Sequence, residues 1–161
     1  MVDLPSSEPP SNPNIKVRRL VEDITVTERQ VVETTFYVRY AETDRMGLVH
    51  HAAYIVWFEE GRSAWMRAMG SDYAKFEAEG LFLPVSEVYA RYVKATSYGH
   101  QVTVRTWTDE VQSRAVKISY EVVDTESGQV LVTGFTRHVC VDREGQVVRL
   151  PEKWRRFFAR E

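Results

Sequence analysis

One aromatic-rich segment, residues 54–70, limits what this chain can fold into more than any other part of the sequence. Its apolar residues, with one glycine among them, recur at steps of three and four: Tyr54, Trp57, Phe58, Gly61, Trp65 and Ala68. This spacing places them on one face of an α-helix, and Gly70 is positioned to end that helix. Because glycine disfavours helices, its presence at Gly61 on the buried face predicts close packing against something flat, such as a β-sheet.

The chain on either side of this helix has the composition of β-strands. Residues 31–40, ahead of the helix, are rich in β-branched and aromatic side chains. Four similar runs follow the helix and are separated by turn-prone residues: 81–96, 100–110, 114–124 and 129–142. Residues 71–79 can add a short second helix, and Pro151 occupies a first helical position near the end of the chain. This order predicts an α+β fold, an antiparallel β-sheet wrapped around one long central α-helix.

The chain length and the positions of the prolines predict the domain organisation. With 161 residues, the chain suits one domain with a hydrophobic core and is short for two. Four of the six prolines fall within the first 13 residues, so residues 1–14 are predicted to form a flexible tail. Residues 15–161 are then a single domain, whose wrapped sheet leaves edges that usually need a partner.

Charge, cysteine content and hydropathy exclude several classes of function. The formal net charge of −2 provides no overall basic field for nucleic acid or an anionic membrane surface. Cys140 is the only cysteine, which excludes a disulfide within the chain and a cysteine-based metal site. No stretch approaches the ~18 consecutive apolar residues of a membrane span, and no basic-then-apolar export signal opens the sequence. We therefore expect a cytoplasmic protein.

A polar patch between the first strand and the long helix contains the residues best suited to chemistry. If the helix begins near His51, its first backbone N–H groups are unpaired and carry the positive end of the helix dipole. Asp44 lies seven residues earlier, and Gly47 lets the loop between them fold back. A carboxylate and a group of N–H donors on either side of a carbonyl would suit acyl-transfer hydrolysis. From spacing alone, a turn-forming role for Asp44, with its side chain bonded to its own backbone, is the favoured alternative.

The other polar residues of this region have structural explanations of their own. His50 and His51 can pack at the helix start or lie on the surface. They do not suit a metal pair, because adjacent helical residues point about 100° apart and no H-E-x-x-H motif is present. Glu59 and Arg62 are three residues apart on the helix, where a surface ion pair is the simplest expectation.

The same stretch resembles the signature of the hotdog-fold acyl-CoA thioesterases, the group that contains 4-hydroxybenzoyl-CoA thioesterase and the Tol-Pal-associated thioesterases. The family pattern runs from an aromatic residue and an acid, through a glycine and a histidine or tyrosine, to helix residues that end in arginine. It is met here by Tyr40, Asp44, Gly47, His51, Tyr54, Trp57, Glu59 and Arg62. The predicted strand order also matches, so the resemblance implies a hotdog fold in which the sheet encloses the central helix.

The resemblance implies a role for each matched residue. Asp44 corresponds to the catalytic acid of the family, acting as nucleophile or as general base for water. His51 corresponds to the residue whose backbone N–H polarises the thioester carbonyl, and Gly47 to the glycine that permits the loop. Gly47 and Tyr54 are expected to contact the substrate. Neither a metal nor a bound cofactor is implied, and two subunits are expected to pair their sheets, with the active sites at the interface.

Some residues near the expected coenzyme A entrance depart from the family pattern. In residues 92–100, relatives often carry a Pro-Ala pair and an acid where this chain has Ala95, Thr96 and His100. That loop borders the coenzyme A entrance in relatives. Lys94 and Arg114 are candidates for binding the nucleotide phosphates, with solvated surface charge as the alternative.

The function predicted from the residues and this resemblance is hydrolysis of an acyl-CoA thioester to a carboxylic acid and free coenzyme A. Three alternatives stay open: a noncatalytic acyl-CoA-binding or assembly protein, hydrolysis of acyl groups on acyl-carrier protein, and a hotdog-fold hydratase. The expected assembly is a homo-oligomer, at least a dimer and, as in relatives, a homotetramer built as a dimer of dimers. The sequence does not indicate the acyl group.

Overall fold

The computed structural model describes residues 24–25 and 29–160, so the predicted tail, residues 1–14, lies outside the described residues. The strands are β1 (Ile24–Thr25), β2 (Val32–Tyr37), β3 (Val85–Tyr92), β4 (Gln101–Val111), β5 (Ala115–Asp124) and β6 (Val130–Val139). The helices are a 3₁₀ turn at Tyr40–Glu42, α1 (Ala53–Ala68), α2 (Tyr73–Ala78) and α3 (Glu152–Ala159). Among these residues, none of the helices has both the length and the apolar character needed to cross a membrane.

The strands form one antiparallel sheet. β4 lies beside β5, β5 beside β6 and β6 beside β3, while β1 and β2 pair with different parts of β4. The predicted order of one strand, one long helix and four strands is confirmed, as is the α+β fold. β1 is an addition that the sequence patterns did not indicate.

The aromatic face of α1 is the centre of the hydrophobic core. Trp57, Phe58 and Trp65 are at most 1% exposed, and the ring of Phe58 stacks on that of Tyr120 in β5 at 4.3 Å. Burial of each such side chain contributes roughly 1.5–3 kcal/mol, so this face accounts for much of the driving force that joins helix and sheet. The predicted face is confirmed except for Ala68, which is exposed at the last residue of α1.

Gly61 allows α1 to approach β4 closely. A methyl group at this position would lie 2.4 Å from Thr106 Oγ1 and 2.9 Å from Val104 Cγ1. Both separations are well inside van der Waals contact, so this approach of helix to sheet requires a residue without a side chain. The close packing against a sheet that the sequence predicted is confirmed.

Gly61→Val is expected to lower the free energy of unfolding by about 1–3 kcal/mol, because the new side chain overlaps atoms of β4. Urea unfolding followed by tryptophan fluorescence measures this loss. The matched control is Ala68→Val, on the exposed end of the same helix, which should cost less than about 1 kcal/mol. Equal losses in the two variants would show that helix propensity, rather than contact with β4, explains the glycine.

Arg62 corrects one expectation from the sequence, since it does not form a surface ion pair with Glu59. Its side chain is buried, its Nη1 donates to Tyr120 Oη at 3.2 Å, and Glu59 is exposed and outside ion-pairing distance. The reason is that Arg62 follows Gly61 on the part of α1 that packs against the sheet. At that position its long side chain meets β5 instead of solvent.

Beyond Tyr120, the buried hydrogen bonds continue to a histidine. Tyr120 Oη and Thr136 Oγ1 are 2.6 Å apart, and Thr136 Oγ1 lies 2.8 Å from His138 Nε2. His138 Nδ1 lies 3.0 Å from Leu83 O, which can only accept, so Nδ1 carries the proton and the neutral ring accepts at Nε2. Thr136 therefore donates to His138, and Tyr120 donates to Thr136. Burial lowers the pKa of His138 to about 4, so the ring is neutral near pH 7.

The edge of the sheet at β3 is open. Seven of its eight residues are exposed, among them the apolar side chains of Val85, Val88 and Tyr89. β3 pairs with β6 on one side and with no other strand of the described residues. Unpaired backbone N–H and C=O groups beside apolar side chains favour association with another strand.

Candidate active site

The loop between the 3₁₀ turn and α1 is built around Asp44. Asp44 N–H donates to Leu48 O at 2.7 Å, and Asp44 Oδ1 accepts the N–H groups of Met46 at 2.8 Å and Leu48 at 3.2 Å. Gly47 has φ = +79°, a left-handed conformation that other residues adopt only with strain. The turn-forming role proposed for Asp44 is thus present in the structure, and one carboxylate oxygen performs it.

The second carboxylate oxygen of Asp44 is available for chemistry. Oδ2 accepts no hydrogen bond from any residue that the structure describes, and the side chain is half-buried. The two roles considered from the sequence therefore do not exclude each other. Oδ1 holds the loop, and Oδ2 is free to meet a substrate or a water molecule.

The same turn occurs a second time in the chain, at Asp142. Its Oδ1 accepts the N–H groups of Glu144 at 3.0 Å and Gln146 at 2.9 Å, and Gly145 has φ = +76°. The D-x-x-G pattern is thus sufficient for the turn in two unrelated surroundings. What distinguishes Asp44 is where its turn lies relative to the start of α1.

Glu42 joins the Asp44 loop to α1. Its carboxylate accepts the indole N–H of Trp57 at 2.9 Å and the backbone N–H of Arg39 at 2.8 Å. Its carbonyl accepts the N–H of His50 at 2.8 Å, so the segment leading into the helix lies beside the residue two before Asp44. Sequence reasoning missed Glu42, because Arg39 three residues earlier is not a capping residue and the S/T-x-x-E signature is therefore absent.

The start of α1 presents an unpaired donor at His51. The helix begins at Ala53, slightly later than the sequence suggested, and a hydrogen-bonded turn at His50 precedes it. His50 Nδ1 accepts the N–H of Ala52 at 3.1 Å, and His50 O accepts that of Ala53 at 2.9 Å. The N–H of His51 donates to no acceptor in the described part of the chain, which leaves it free to bind an oxygen that gains negative charge.

The imidazole rings of His50 and His51 stack on each other. Their centroids are 4.2 Å apart in a stacked arrangement. Across residues 24–25 and 29–160, no group of three or more His, Cys, Asp or Glu side chains is placed to hold a metal ion.

Tyr92, at the end of β3, contacts the start of α1. Sequence reasoning did not identify this residue. Its hydroxyl donates to His51 O at 2.8 Å, and its ring lies 5.5 Å from that of Tyr54. Tyr54 is 3% exposed, and burial, with Tyr92 nearby, raises the pKa of Tyr54 to about 12. Its hydroxyl is therefore protonated at neutral pH. No sequence pattern marks Tyr92, because only the fold brings β3 to the helix start.

The two phosphate candidates lie at different ends of the sheet. Lys94 lines a cavity of about 580 Å³ together with Leu48, Thr96 and His100, and its Nζ contacts Gln129 Oε1. Leu48 belongs to the Asp44 loop, so this cavity reaches the candidate site.

Arg114 is exposed in the turn that joins β4 to β5. The cavity lies at Asp124, at the opposite end of the ten-residue β5, which at strand geometry spans about 30 Å. Within one chain, Arg114 therefore does not share a site with Asp44 and Lys94. Asp44 and Gly47 share one loop, Tyr92 contacts both His51 and Tyr54 at the start of α1, and Lys94 lines the cavity that reaches the loop at Leu48.

Comparison with known proteins identifies the family. The model of the thioesterase-like superfamily matches residues 38–158, which contain the Asp44 loop, α1 and the strands β3 to β6. The chain belongs to the thioesterase-like superfamily. Membership confirms the hotdog fold and the predicted enzyme class, a thioester hydrolase.

Individual proteins resemble the chain over most of its length. The putative acyl-CoA thioesterase YneP of Bacillus subtilis is 36% identical over 107 residues, 66% of this chain and 77% of that protein. A DHNA-CoA thioesterase structure from Staphylococcus aureus has a TM-score of 0.76 at 30% identity, covering 81% of this chain and 89% of that one. A hypothetical protein from Thermus thermophilus has a TM-score of 0.75 at 38% identity, covering 81% and 96%.

Proposed function

We propose that the chain hydrolyses acyl-CoA thioesters, with Asp44 as the catalytic carboxylate and the N–H of His51 as the donor to the thioester oxygen. The observation that carries the proposal is the free Oδ2 of Asp44, on a loop that is bonded to the segment leading into α1. The signature from Tyr40 to Arg62 supports a narrower proposal. On that basis the chain groups with the 4-hydroxybenzoyl-CoA and Tol-Pal-associated thioesterases.

Besides the thioester, the proposed reaction needs only water, the carboxylate of Asp44 and the N–H of His51. Asp44 Oδ2 takes a proton from a water molecule whose oxygen attacks the thioester carbon, and the carbonyl oxygen gains negative charge. The N–H of His51 and the positive end of α1 stabilise that oxyanion. When the tetrahedral intermediate collapses, the C–S bond breaks, and the sulfur leaves as coenzyme A thiolate and takes up a proton. In the alternative route, Oδ2 attacks the carbon itself and the C–S bond breaks to release coenzyme A thiolate, after which water hydrolyses the resulting anhydride.

Thiol release from a panel of acyl-CoA esters, with and without a chelator, tests the proposal. We expect release to persist in chelator, because His50 and His51 lack ligand spacing and no three His, Cys, Asp or Glu side chains of the described residues are grouped to hold a metal ion. Release from acyl-carrier protein alone would change the substrate class. An ultraviolet change on enoyl-CoA without thiol release would support a hydratase, and binding without either reaction would support a noncatalytic acyl-CoA-binding protein.

Tyr92→Phe is expected to lower kcat about fivefold and leave KM nearly unchanged. The variant keeps the ring but loses the hydrogen bond to His51 O, worth about 1 kcal/mol, that fixes the backbone beside the proposed donor. Steady-state kinetics on the best substrate of the panel measures the effect. Tyr89→Phe, on the same strand with its ring stacked on Phe135, is the matched control and should be neutral. A change in KM alone would argue against a positioning role for Tyr92.

We expect the protein to form at least a homodimer, and a dimer of dimers as proposed from the family, because β3 exposes an apolar unpaired edge. Light scattering at micromolar concentration measures the mass. Val88→Lys, in the middle of β3, should shift the protein towards monomer. Val147→Lys, at an exposed valine outside β3, should not. A monomer mass for the unmodified protein would contradict the expectation.

A further inference from the structure

Three tyrosines at one end of the sheet are open to solvent. Tyr37, Tyr40 and Tyr98 are 64%, 77% and 62% exposed, and the rings of Tyr40 and Tyr98 meet edge to face at 5.8 Å. The backbone beneath them is fixed, because Val38 N–H donates to His100 O at 2.9 Å. Large exposed rings on a fixed backbone add little to the core. They do offer flat apolar surface to another ring.

Tyr37 and Tyr98 border a cleft of about 630 Å³ whose other walls include His100, Asp124 and Glu126. Asp124 lies 3.7 Å from the His100 ring, whereas the Glu126 carboxylate has no partner among the described residues. The carboxylates in this wall favour a planar ring that carries an amino group, since carboxylates accept hydrogen bonds.

The cleft continues into the cavity that contains Lys94. The two share His100, Asp124 and Glu126, and the cavity extends to Leu48 in the Asp44 loop. An elongated ligand can therefore have its reacting end near Asp44, its negative groups near Lys94 and a planar base between the tyrosines. Along the surface, the tyrosine cleft, Lys94 and the Asp44 loop follow one another in the same order as the base, the pyrophosphate and the thioester of an acyl-coenzyme A.

We propose that the cleft between Tyr37 and Tyr98 binds the adenine base of coenzyme A, with the tyrosine rings stacking on the base and Glu126 accepting a hydrogen bond from its amino group. This inference rests on the proposed function for its choice of coenzyme A as ligand. The pyrophosphate then lies towards Lys94. The pantetheine arm runs past Leu48 to the thioester at Asp44.

Titration calorimetry with free coenzyme A tests the stacking, because it requires no hydrolysis. Tyr98→Ala should weaken binding about tenfold, in line with the loss of one base–aromatic stack, and Tyr98→Phe should stay within about twofold of the unmodified protein. Tyr37→Ala should act in the same direction. Thermal unfolding and light scattering are measured alongside. If Tyr98→Ala changes the melting temperature or the assembly and leaves affinity unaltered, the cleft is structural and the proposal is overturned.

A coenzyme A analogue tests the contact to the amino group separately from the stacking of the base. In 1,N6-etheno-coenzyme A the amino nitrogen is closed into a further ring and donates no hydrogen bond, while the stacking surface is retained. Glu126→Ala should weaken binding of coenzyme A about fivefold and leave binding of the etheno analogue unchanged. Equal effects on the two ligands would overturn the contact assigned to Glu126.

The kinetic counterpart compares an acyl-CoA with the same acyl group on pantetheine, which lacks the nucleotide. Tyr98→Ala should raise KM for the acyl-CoA about tenfold and leave KM for acyl-pantetheine unchanged. An unmodified enzyme that uses both substrates equally well would overturn the base site and leave the proposed hydrolase intact. Coenzyme A binding that depends on Tyr98, without any thiol release, would support the base site and overturn the proposed hydrolase.

Discussion

Asp44→Asn should lower kcat for thioester hydrolysis by on the order of 10²–10⁴, because asparagine can neither take the proton from water nor attack the thioester carbon. The fold should be almost unaffected. Asparagine retains an oxygen at Oδ1, the atom that accepts the N–H groups of Met46 and Leu48. Activity loss with unchanged thermal unfolding is thus the expected pair of results, measured by thiol release and calorimetry.

The second D-x-x-G turn provides a matched control for this experiment. Asp142→Asn changes the same type of residue in the same type of turn, away from the start of α1, so kcat should stay near that of the unmodified enzyme. His51→Ala should also have a small effect, since its proposed contribution is a backbone N–H that alanine retains. Near-normal kcat in Asp44→Asn would mean that Asp44 only forms its turn.

Isotope labelling distinguishes the two roles of Asp44. In single-turnover hydrolysis in ¹⁸O-labelled water, a nucleophilic Asp44 acquires solvent oxygen in its own carboxylate when water opens the anhydride at the Asp44 carbonyl, and the bridging oxygen then leaves in the product acid. A general base that only activates water leaves the carboxylate unlabelled. We favour the general base, and a labelled Asp44 peptide would contradict that choice.

The free energy of unfolding should fall by about 3 kcal/mol in total as the pH drops from about 6.5 to about 4, owing to His138 alone. Burial lowers the pKa of His138 in the folded state to about 4, against 6.5 for the unperturbed side chain. As pH falls below 6.5, the unfolded chain binds a proton that the folded chain does not. The contribution is therefore fully present above pH 6.5 and lost on acidification.

The surroundings of His138 explain the direction of this effect. Protonated His138 would donate from Nε2 to Thr136, which already accepts from Tyr120, and the Thr136 hydroxyl would lose its acceptor. A second positive charge would also enter the network of Arg62, whose other titratable neighbours are Tyr120, Tyr73 and Glu59.

Urea unfolding midpoints at several pH values between 4 and 7 measure the dependence on His138. His138→Gln should be less stable at neutral pH and have a shallower slope with pH, whereas His100→Gln, at an exposed histidine, should retain the slope of the unmodified protein. An NMR titration of the His138 ring measures its pKa in the folded protein directly and requires no variant. A midpoint near 6.5 in the folded protein would contradict the prediction.

Local patterns of the sequence were enough to predict the main elements. The three-and-four spacing of Trp57, Phe58 and Trp65 indicated α1, since a helix that packs on one side must repeat its apolar residues at that interval. Gly61 indicated close contact with a sheet, and Gly47 indicated the turn at Asp44. Each of these inferences depends on residues near one another in the chain. The physical causes of helix periodicity and turn conformation are themselves local.

The sequence by itself determined one helix, its aromatic face, the strand order and the D-x-x-G turn. Only the tertiary structure decided that Glu42 bonds the Asp44 loop to Trp57 and to the segment leading into α1. It also decided that Arg62 turns inward to Tyr120, and that Tyr92 donates to His51 across 41 residues of chain. These contacts join residues whose separation in the sequence carries no periodic signal. They exist because the sheet pairs distant strands and packs them around one helix, which no short stretch of sequence specifies.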